Sequence, residues 1–329
     1  MRGRRKILAL PLIGLVAGAL ALASASAQQP PFPSKPIRML FGFAAGGSGD
    51  LAARLLADVA TRTLGQQVIV ENRTGANGMI AAEGAARSAP DGHTVLFCTT
   101  GNMTIITELP GASLPINPAT ELMPLGQLLR STFGLVVGKD SPYKSVADLI
   151  AAARAKPGQL SFATPGIGSV QHLSSELLAQ KLGLKLVHVP YRGSAAAMPD
   201  LISGRTDFSI TNLGDTMTQI RSGQLRLLGL GDPLGKRFFP DTPMIADVAP
   251  GFQTYAWFGL CGPTGLPPDI VRRWEQAVKA ATEDPHVIQR LLDFGLVPEF
   301  ADSAALGRTM DENRRNYREV IRAAGIKAE

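Results

Sequence analysis

Between Ile37 and Asp50 the chain reads IRMLFGFAAGGSGD. A short apolar run is followed by six small residues, Ala44 to Gly49, and then by Leu51, Leu55, Leu56 and Val59 at helical spacing. The run is too short for a helix and suits a buried strand, so the segment predicts strand, glycine loop and helix, with Asp50 or Ser48 as N-cap. A loop of small residues admits a ligand close to the backbone. The first N–H groups of the helix lack partners within it, and its dipole places partial positive charge there. Such a junction either seats an anion on backbone alone or is simply a tight turn.

The same device recurs. Val68–Val70 is strand-like, Thr74–Gly78 is a second glycine loop, and Met79–Ser88 is an alanine-rich helix. Leu160–Thr164 leads through Pro165-Gly166-Ile167-Gly168-Ser169 into a helix that Gly183 closes. Leu186–Tyr191, the loop Arg192-Gly193-Ser194 and a short helix follow, then a strand at Asp207–Thr211 and a helix to Ser222. Ser145 with Asp148 predicts a capping box opening a further helix. Gly101–Leu125 carries scattered prolines and reads as a long loop with at most one helical turn, with a strand from Gln127 to Gly138. Pro267-Pro268 and Pro285 open two late helices, and a last one runs from about Ser303 to Ala324. The alternation predicts an α/β fold with mostly parallel sheets. Two glycine-loop units suggest two lobes facing each other across a cleft, since ligands of open α/β sheets sit beyond the carboxyl ends of the strands.

The first residues are a leader. Arg2–Lys6 is basic, Ile7–Ala23 is apolar, and Ala25-Ser26-Ala27 is a small-x-small site, so residues 1–27 read as a signal peptide cleaved after Ala27, giving a periplasmic protein. The net charge of +6 includes Arg2, Arg4, Arg5 and Lys6 of this leader, leaving +2 for the rest. With no basic stripe interleaved with aromatics, nucleic acid is not an expected partner. Cys98 and Cys261 each sit in an apolar strand-like run. Export permits a disulfide, but two buried free thiols are the expectation.

Enzyme chemistry finds little support. Glu71 ends a strand where a ribose-binding acid could sit, but the first loop does not read G-x-G-x-x-G. Ser169 and His172 could suggest a nucleophile and base, yet G-x-S-x-G is absent. Ser169 reads as an N-cap or ligand donor, and His172 either supports the loop or touches ligand. His188 reads as structural and His93 as a surface residue. No cluster has metal-ligand spacing, and no cofactor is implied. Arg192 either pairs with a ligand carboxylate or is a solvated charge. Tyr191 either walls the cleft or packs on the loop. Arg73 is expected to satisfy carbonyls of the second glycine loop, and Arg314, Arg315, Arg318 and Arg322 to form a solvated helix face.

PSKPIR at Pro33–Arg38, FAAGGSGD at Phe43–Asp50, VIVENRTGANG at Val68–Gly78, APDGHT at Ala89–Thr94, AKPGQLSFATPGIGSVQHL at Ala155–Leu173, VHVPYRG at Val187–Gly193, WFGL at Trp257–Leu260 and AAGIK at Ala323–Lys327 occur in order along the mature chain. In these pieces it resembles the Bug extracytoplasmic solute receptors, the binding components of tripartite tricarboxylate transporters. The resemblance implies a two-lobed periplasmic-binding-protein (Venus-flytrap) fold, with 31–125 and 232–329 in one lobe and 126–231 in the other. It implies a monomeric receptor that captures a small carboxylate and delivers it to membrane transporter subunits. A periplasmic sensing subunit for a signalling partner is the alternative. Carried over by position, the ligand contacts are Ala45, Gly46, Gly47 and Ser48 in one loop and Gly166, Gly168 and Ser169 in the other. The chain departs from the family pattern after Gly101, where Asn102, Met103 and Thr104 stand, and at Thr211, where many members carry aspartate. An acid there could pair with a ligand amino group and threonine cannot supply that charge, so a carboxylate without an α-amino group, a dicarboxylate or aromatic acid, is expected over aspartate or glutamate.

Overall fold

The computed structural model describes residues 32–328; the leader and its cleavage site lie outside the described residues. In chain order it comprises β1 (Ile37–Phe41), α1 (Ser48–Leu64), β2 (Val68–Asn72), α2 (Met79–Ala86), β3 (Thr94–Thr99), α3 (Pro118–Glu121) and β4 (Leu122–Gly138). Then come α4 (Val146–Ala155), β5 (Ser161–Thr164), α5 (Val170–Leu182), β6 (Val187–Pro190), α6 (Ser194–Ile202), β7 (Ser209–Asn212), α7 (Leu213–Arg221) and β8 (Leu225–Leu230). The chain closes with β9 (Tyr255–Pro263), α8 (Pro268–Glu283), α9 (Pro285–Asp293), β10 (Leu296–Ala301) and α10 (Ser303–Ala324). No helix among the described residues is long and apolar enough to cross a membrane.

Local rules set many of these boundaries. The α1 helix buries Ala52, Ala53, Leu55, Leu56, Val59, Ala60 and Leu64. It stops at Gly65, whose left-handed φ of 77° lets its N–H reach Thr61 O at 3.1 Å, the usual glycine C-cap. The capping box at Ser145 and Asp148 forms both of its hydrogen bonds. Gly183 closes α5 at φ 63°.

Strand β1 pairs in parallel with β2 and β3, and β5 pairs in parallel with β6. The other strand-to-strand ladders are antiparallel, and four of them are made by β4, a 17-residue strand belonging to both halves. Its residues Leu122–Thr132 pair with β9, and Gln127–Ser131 with β10. Its end, Phe133–Gly138, pairs with β7 and β8. A bridge between Phe162 and Phe208 joins β5 to β7. The chain returns beside β4, where Gly231 N–H donates to Phe133 O at 2.8 Å.

Each half has its own core. One surrounds Trp274, Phe97, Leu56 and Leu128; the other surrounds Phe162, Phe208, Leu135 and Leu149. Burying such a side chain stabilises by about 1.5–3 kcal/mol. The end of α10 joins the second core through Val320 and Ile321.

Several expectations are corrected. Cys98 and Cys261 form a disulfide, with Cα atoms 5.9 Å apart. Strands β3 and β9 are neighbours, and Leu96 lies opposite Cys261, so the thiols sit diagonally across one ladder, a relation that 163 residues of separation conceal. His93 is buried, not on the surface; it accepts from Ser34 N–H at 3.1 Å and packs against Phe32. Arg314 is not solvated. It donates to Met103 O at 3.3 Å, while Arg318 pairs with Glu108 at 2.7 Å. Arg73 pairs with Glu71, which Arg38 also holds at 2.6 and 2.9 Å. The loop from Gly101 contains a π-helix to Ile105 and a 3-10 turn to Glu108, and β10 was not foreseen.

Candidate functional site

Five strand-to-helix junctions, those opening α1, α2, α5, α6 and α7, converge on one cleft of about 1550 Å³. Phe41, Phe43, Phe133 and Phe258 form apolar walls, and residues of the glycine loops line the cleft together with polar residues such as Gln171, Asn212 and Gln219.

The first loop is organised by Asp50. The N-cap of α1 is Gly47, and no side chain caps it, so neither Asp50 nor Ser48 takes the predicted role. The buried Asp50 carboxylate instead turns back and accepts from Gly46 N–H at 3.0 Å, from Arg54 at 2.9 and 3.1 Å and from Asn72 at 2.8 Å. Burial pushes its pKa up, but these donors together hold it below the ordinary carboxylate range. The Gly46 N–H is thereby committed. Among the described residues, no acceptor is recorded for the N–H groups of Gly47, Ser48 and Gly49, all at the cleft. The second glycine loop touches the first backbone to backbone: a Cβ on Gly42 would lie 2.4 Å from Gly78 Cα. In that loop Ala76 (φ 45°) and Asn77 (φ 55°) are left-handed, a strained state for alanine.

The facing loop precedes α5. Ser169 is the N-cap: its hydroxyl accepts from His172 N–H at 3.2 Å and donates to Gly166 O at 2.8 Å. His172 lies beneath the loop, where Nδ1 accepts from Gly168 N–H at 3.2 Å. Its ring stacks on His188 at 3.8 Å, and His188 stacks on Phe162. Burial, and for His172 also the neighbouring His188, pushes both imidazoles down to about 4. These bonds leave no free serine–imidazole pair for nucleophilic chemistry. The N–H groups of Ile167, Val170 and Gln171 line the cleft with no acceptor recorded among the described residues. Two helix N-termini, one from each half, thus present unpaired donors to one space.

Of the residues singled out from sequence, Gly47, Ser48, Gly166, Ser169 and Arg192 line this cleft. Ala45 and Gly46 sit on the exposed outer part of their loop. Gly168 faces inward at φ +72°, where a Cβ would meet Leu109 at 2.4 Å. The Tyr191 hydroxyl donates to Asp200 at 2.8 Å, away from the cleft. Thr211 is buried and lines a separate small cavity with Thr164 and Ser209, because alternation along β7 gives the cleft face to Asn212.

Sequence reasoning missed Asp215 and Gln219 on α7, and Thr99–Gly101 after β3, all of which line the cleft. Asp215 had a legible signal, since it stands in the first turn of a helix that follows a strand end. Burial holds its carboxyl above the ordinary carboxylate range, although the hydroxyls of Ser194 and Ser48 act in the opposite direction. Thr99 is held by Asn102, whose Oδ1 accepts from Thr99 N–H at 2.9 Å.

Residues 52–326 match the family model described as "Tripartite tricarboxylate transporter family receptor". The chain is 34% identical over 325 residues to a Cupriavidus necator protein known as UPF0065 protein in gbd 5'region, covering 98% of each. It is 31% identical over 320 residues to Protein BugT of Bordetella pertussis, covering 97% of this chain and 98% of BugT. The structure of Rpa4515 from R. palustris, solved with adipate, superposes with a TM-score of 0.82 at 31% identity, covering 90% of this chain and 99% of the other.

Proposed function

The chain belongs to the tripartite tricarboxylate transporter receptor family, and from that premise we propose that it captures a small carboxylate in the cleft between its two halves and presents it to transporter subunits in the membrane. The observation that carries this reading is the pair of facing helix N-termini. Gly47, Ser48 and Gly49 on one side and Ile167, Val170 and Gln171 on the other supply unpaired N–H groups to one apolar-walled space. A carboxylate is the group such donors and dipoles stabilise. The glycine loops carry no basic side chain, and Arg192 is the sole lysine or arginine among the described residues lining the cleft. The adipate in the R. palustris relative supports the same ligand class.

We further place residues 32–132 with 232–328 in one lobe and 133–231 in the other, because Leu122–Thr132 pair with β9 and Phe133–Gly138 with β7 and β8, which moves the boundary expected at residue 126; the hinges are then β4 near Thr132–Phe133 and Leu230–Asp232. The cleft exceeds the ~300–1,000 Å³ of a well-filled ligand pocket, so binding brings the lobes together, as in periplasmic receptors. Export with cleavage after Ala27 and action as a monomer, by binding and not catalysis, belong to the same reading. A thermal-shift screen of mono-, di- and tricarboxylates on the mature chain tests it. A true ligand at 100 times its Kd stabilises by ~2.7 kcal/mol, and a screen in which no carboxylate raises the melting temperature would overturn it.

A further inference from the structure

Three ionisable residues line the cleft among those described: Asp50, Arg192 and Asp215. Asp50 is spent on its own loop, neutralised by Arg54 and bonded to Asn72 and Gly46. That leaves one cation and one carboxyl facing the ligand space. Arg192 is exposed, on the loop that opens α6. Asp215 is partly buried in the first turn of α7, with Ser194 of α6 and Ser48 of α1 as the neighbours acting on its carboxyl; Gln219 follows one turn later. No lysine, arginine or histidine acts on that carboxyl among the described residues. Ser48 and Asp215 belong to different halves of the molecule, so a group bound here touches both.

We propose that Asp215 determines the specificity of this receptor, and that its ligand is a small monocarboxylate that also carries an ammonium group. The ligand carboxylate takes the unpaired N–H groups and Arg192; its ammonium supplies the counter-ion that Asp215 lacks. A dianion such as a dicarboxylate would set its second carboxylate against Asp215, a like-charge contact in a half-desolvated site unless a proton is held between the two carboxyl groups. A site with a polar group committed to one ligand donor rejects analogues that lack it, often far more strongly than an apolar pocket rejects a misfit. Burial disfavours a lone charge on Asp215, and a ligand ammonium offsets that cost by favouring the ionised carboxylate, so that with Asp50 neutralised the bound lining of Arg192 and Asp215 has zero net charge and matches a ligand of zero net charge. This reverses the preference drawn from Thr211, whose side chain is outside the cleft. Asp215 acts in this way only if the cleft takes a carboxylate, the reading proposed above.

The test is calorimetry on the mature chain and on Asp215→Asn, using pairs that exchange one carboxylate for an ammonium: glutarate with 4-aminobutanoate, and adipate with 5-aminopentanoate. Norvaline with pentanoate probes an α-ammonium group. The expected result is that the best amino ligand binds the wild-type chain at least ~100-fold more tightly than its partner. In Asp215→Asn that ratio falls at least ~10-fold at an unchanged melting temperature. A wild-type preference for dicarboxylates overturns the assignment, and so does a preference for amines that survives in Asp215→Asn. Binding of none of the six compounds overturns it together with the carboxylate reading, whereas dicarboxylate binding leaves the carboxylate reading standing.

Discussion

Replacing Asp50 by alanine removes the group that shapes the first glycine loop. Its carboxylate makes four hydrogen bonds: Gly46 N–H, two from Arg54 and one from Asn72. A hydrogen bond to a charged group contributes roughly 1.5–3 kcal/mol when desolvated. The Arg54 side chain is 50% exposed while that of Asp50 is 6% exposed, so the arginine pair falls near the ~0–1 kcal/mol of surface ion pairs. The Asn72 and Gly46 bonds dominate, and Asp50→Ala should destabilise by about 2–4 kcal/mol. At ~2–4 °C per kcal/mol that is a fall in Tm of roughly 4–16 °C. Arg54→Ala should cost under ~1 kcal/mol. The pH dependence has a defined sign. A carboxylate held below its ordinary pKa contributes stability above that ordinary value, and loses it as pH falls through the depressed one. The Asp50 contribution should therefore be full at neutral pH and vanish only below about pH 4. Thermal melts of wild type, Asp50→Ala and Arg54→Ala from pH 7 to pH 3 read all of this. Equal midpoints for the two variants at neutral pH would refute the assignment of the loop's shape to Asp50.

Three further outcomes follow from the packing. Reducing the Cys98–Cys261 disulfide, or replacing both residues by serine, should cost up to ~5 kcal/mol by the chain-entropy relation for a loop this long; two free thiols in the denatured, unreduced protein would contradict the pairing. Gly168→Ala should destabilise by about 1–3 kcal/mol, because it forces a left-handed backbone and a contact with Leu109, and a neutral melting temperature would show that the loop can relax. His172 is held neutral, with its pKa down at about 4, while the unfolded chain takes up its proton near 6.5. Stability should thus fall as pH drops from about 6.5 to 4, by up to ~3 kcal/mol from this group, and the fall should be shallower in His172→Gln; parallel curves would remove the buried neutral imidazole from the account.

The strand–loop–helix junctions were legible because glycine loops, caps and periodicity are local signals: α1, α4 and α5 follow from the spacing of Leu51, Leu55, Leu56 and Val59, the Ser145 box and Gly183. What local pattern could not convey was partnership across the chain. The diagonal placement of Cys98 and Cys261 depends on β3 lying beside β9. Strand β4 extends back to Leu122 through Pro124 because bulges at Pro124–Gly126 and Gln127–Leu129 absorb the proline against β9. The site divides in the same way. Its backbone seats could be read from glycines and helix starts. The roles of Thr211 and Asp215 hinge on which face of β7 and which turn of α7 meet the cleft, and on β7 a one-residue difference in phase exchanges Thr211 with Asn212.

The central claim is that ligand is held by backbone N–H groups at the start of α1, and Gly47 is where it is most exposed to test. Its φ of −83° and ψ of 172° are open to any residue, and a Cβ there meets nothing within 4 Å. Gly47→Phe should therefore fold as the wild type does while its ring occupies the approach to the Gly47, Ser48 and Gly49 N–H groups. Calorimetry of both proteins with adipate and 5-aminopentanoate is the direct measurement. The predicted result is loss of at least ~100-fold in affinity, about 2.7 kcal/mol, for whichever compound the wild type binds, at an unchanged melting temperature. Wild-type affinity in the Gly47→Phe protein would contradict the backbone seat.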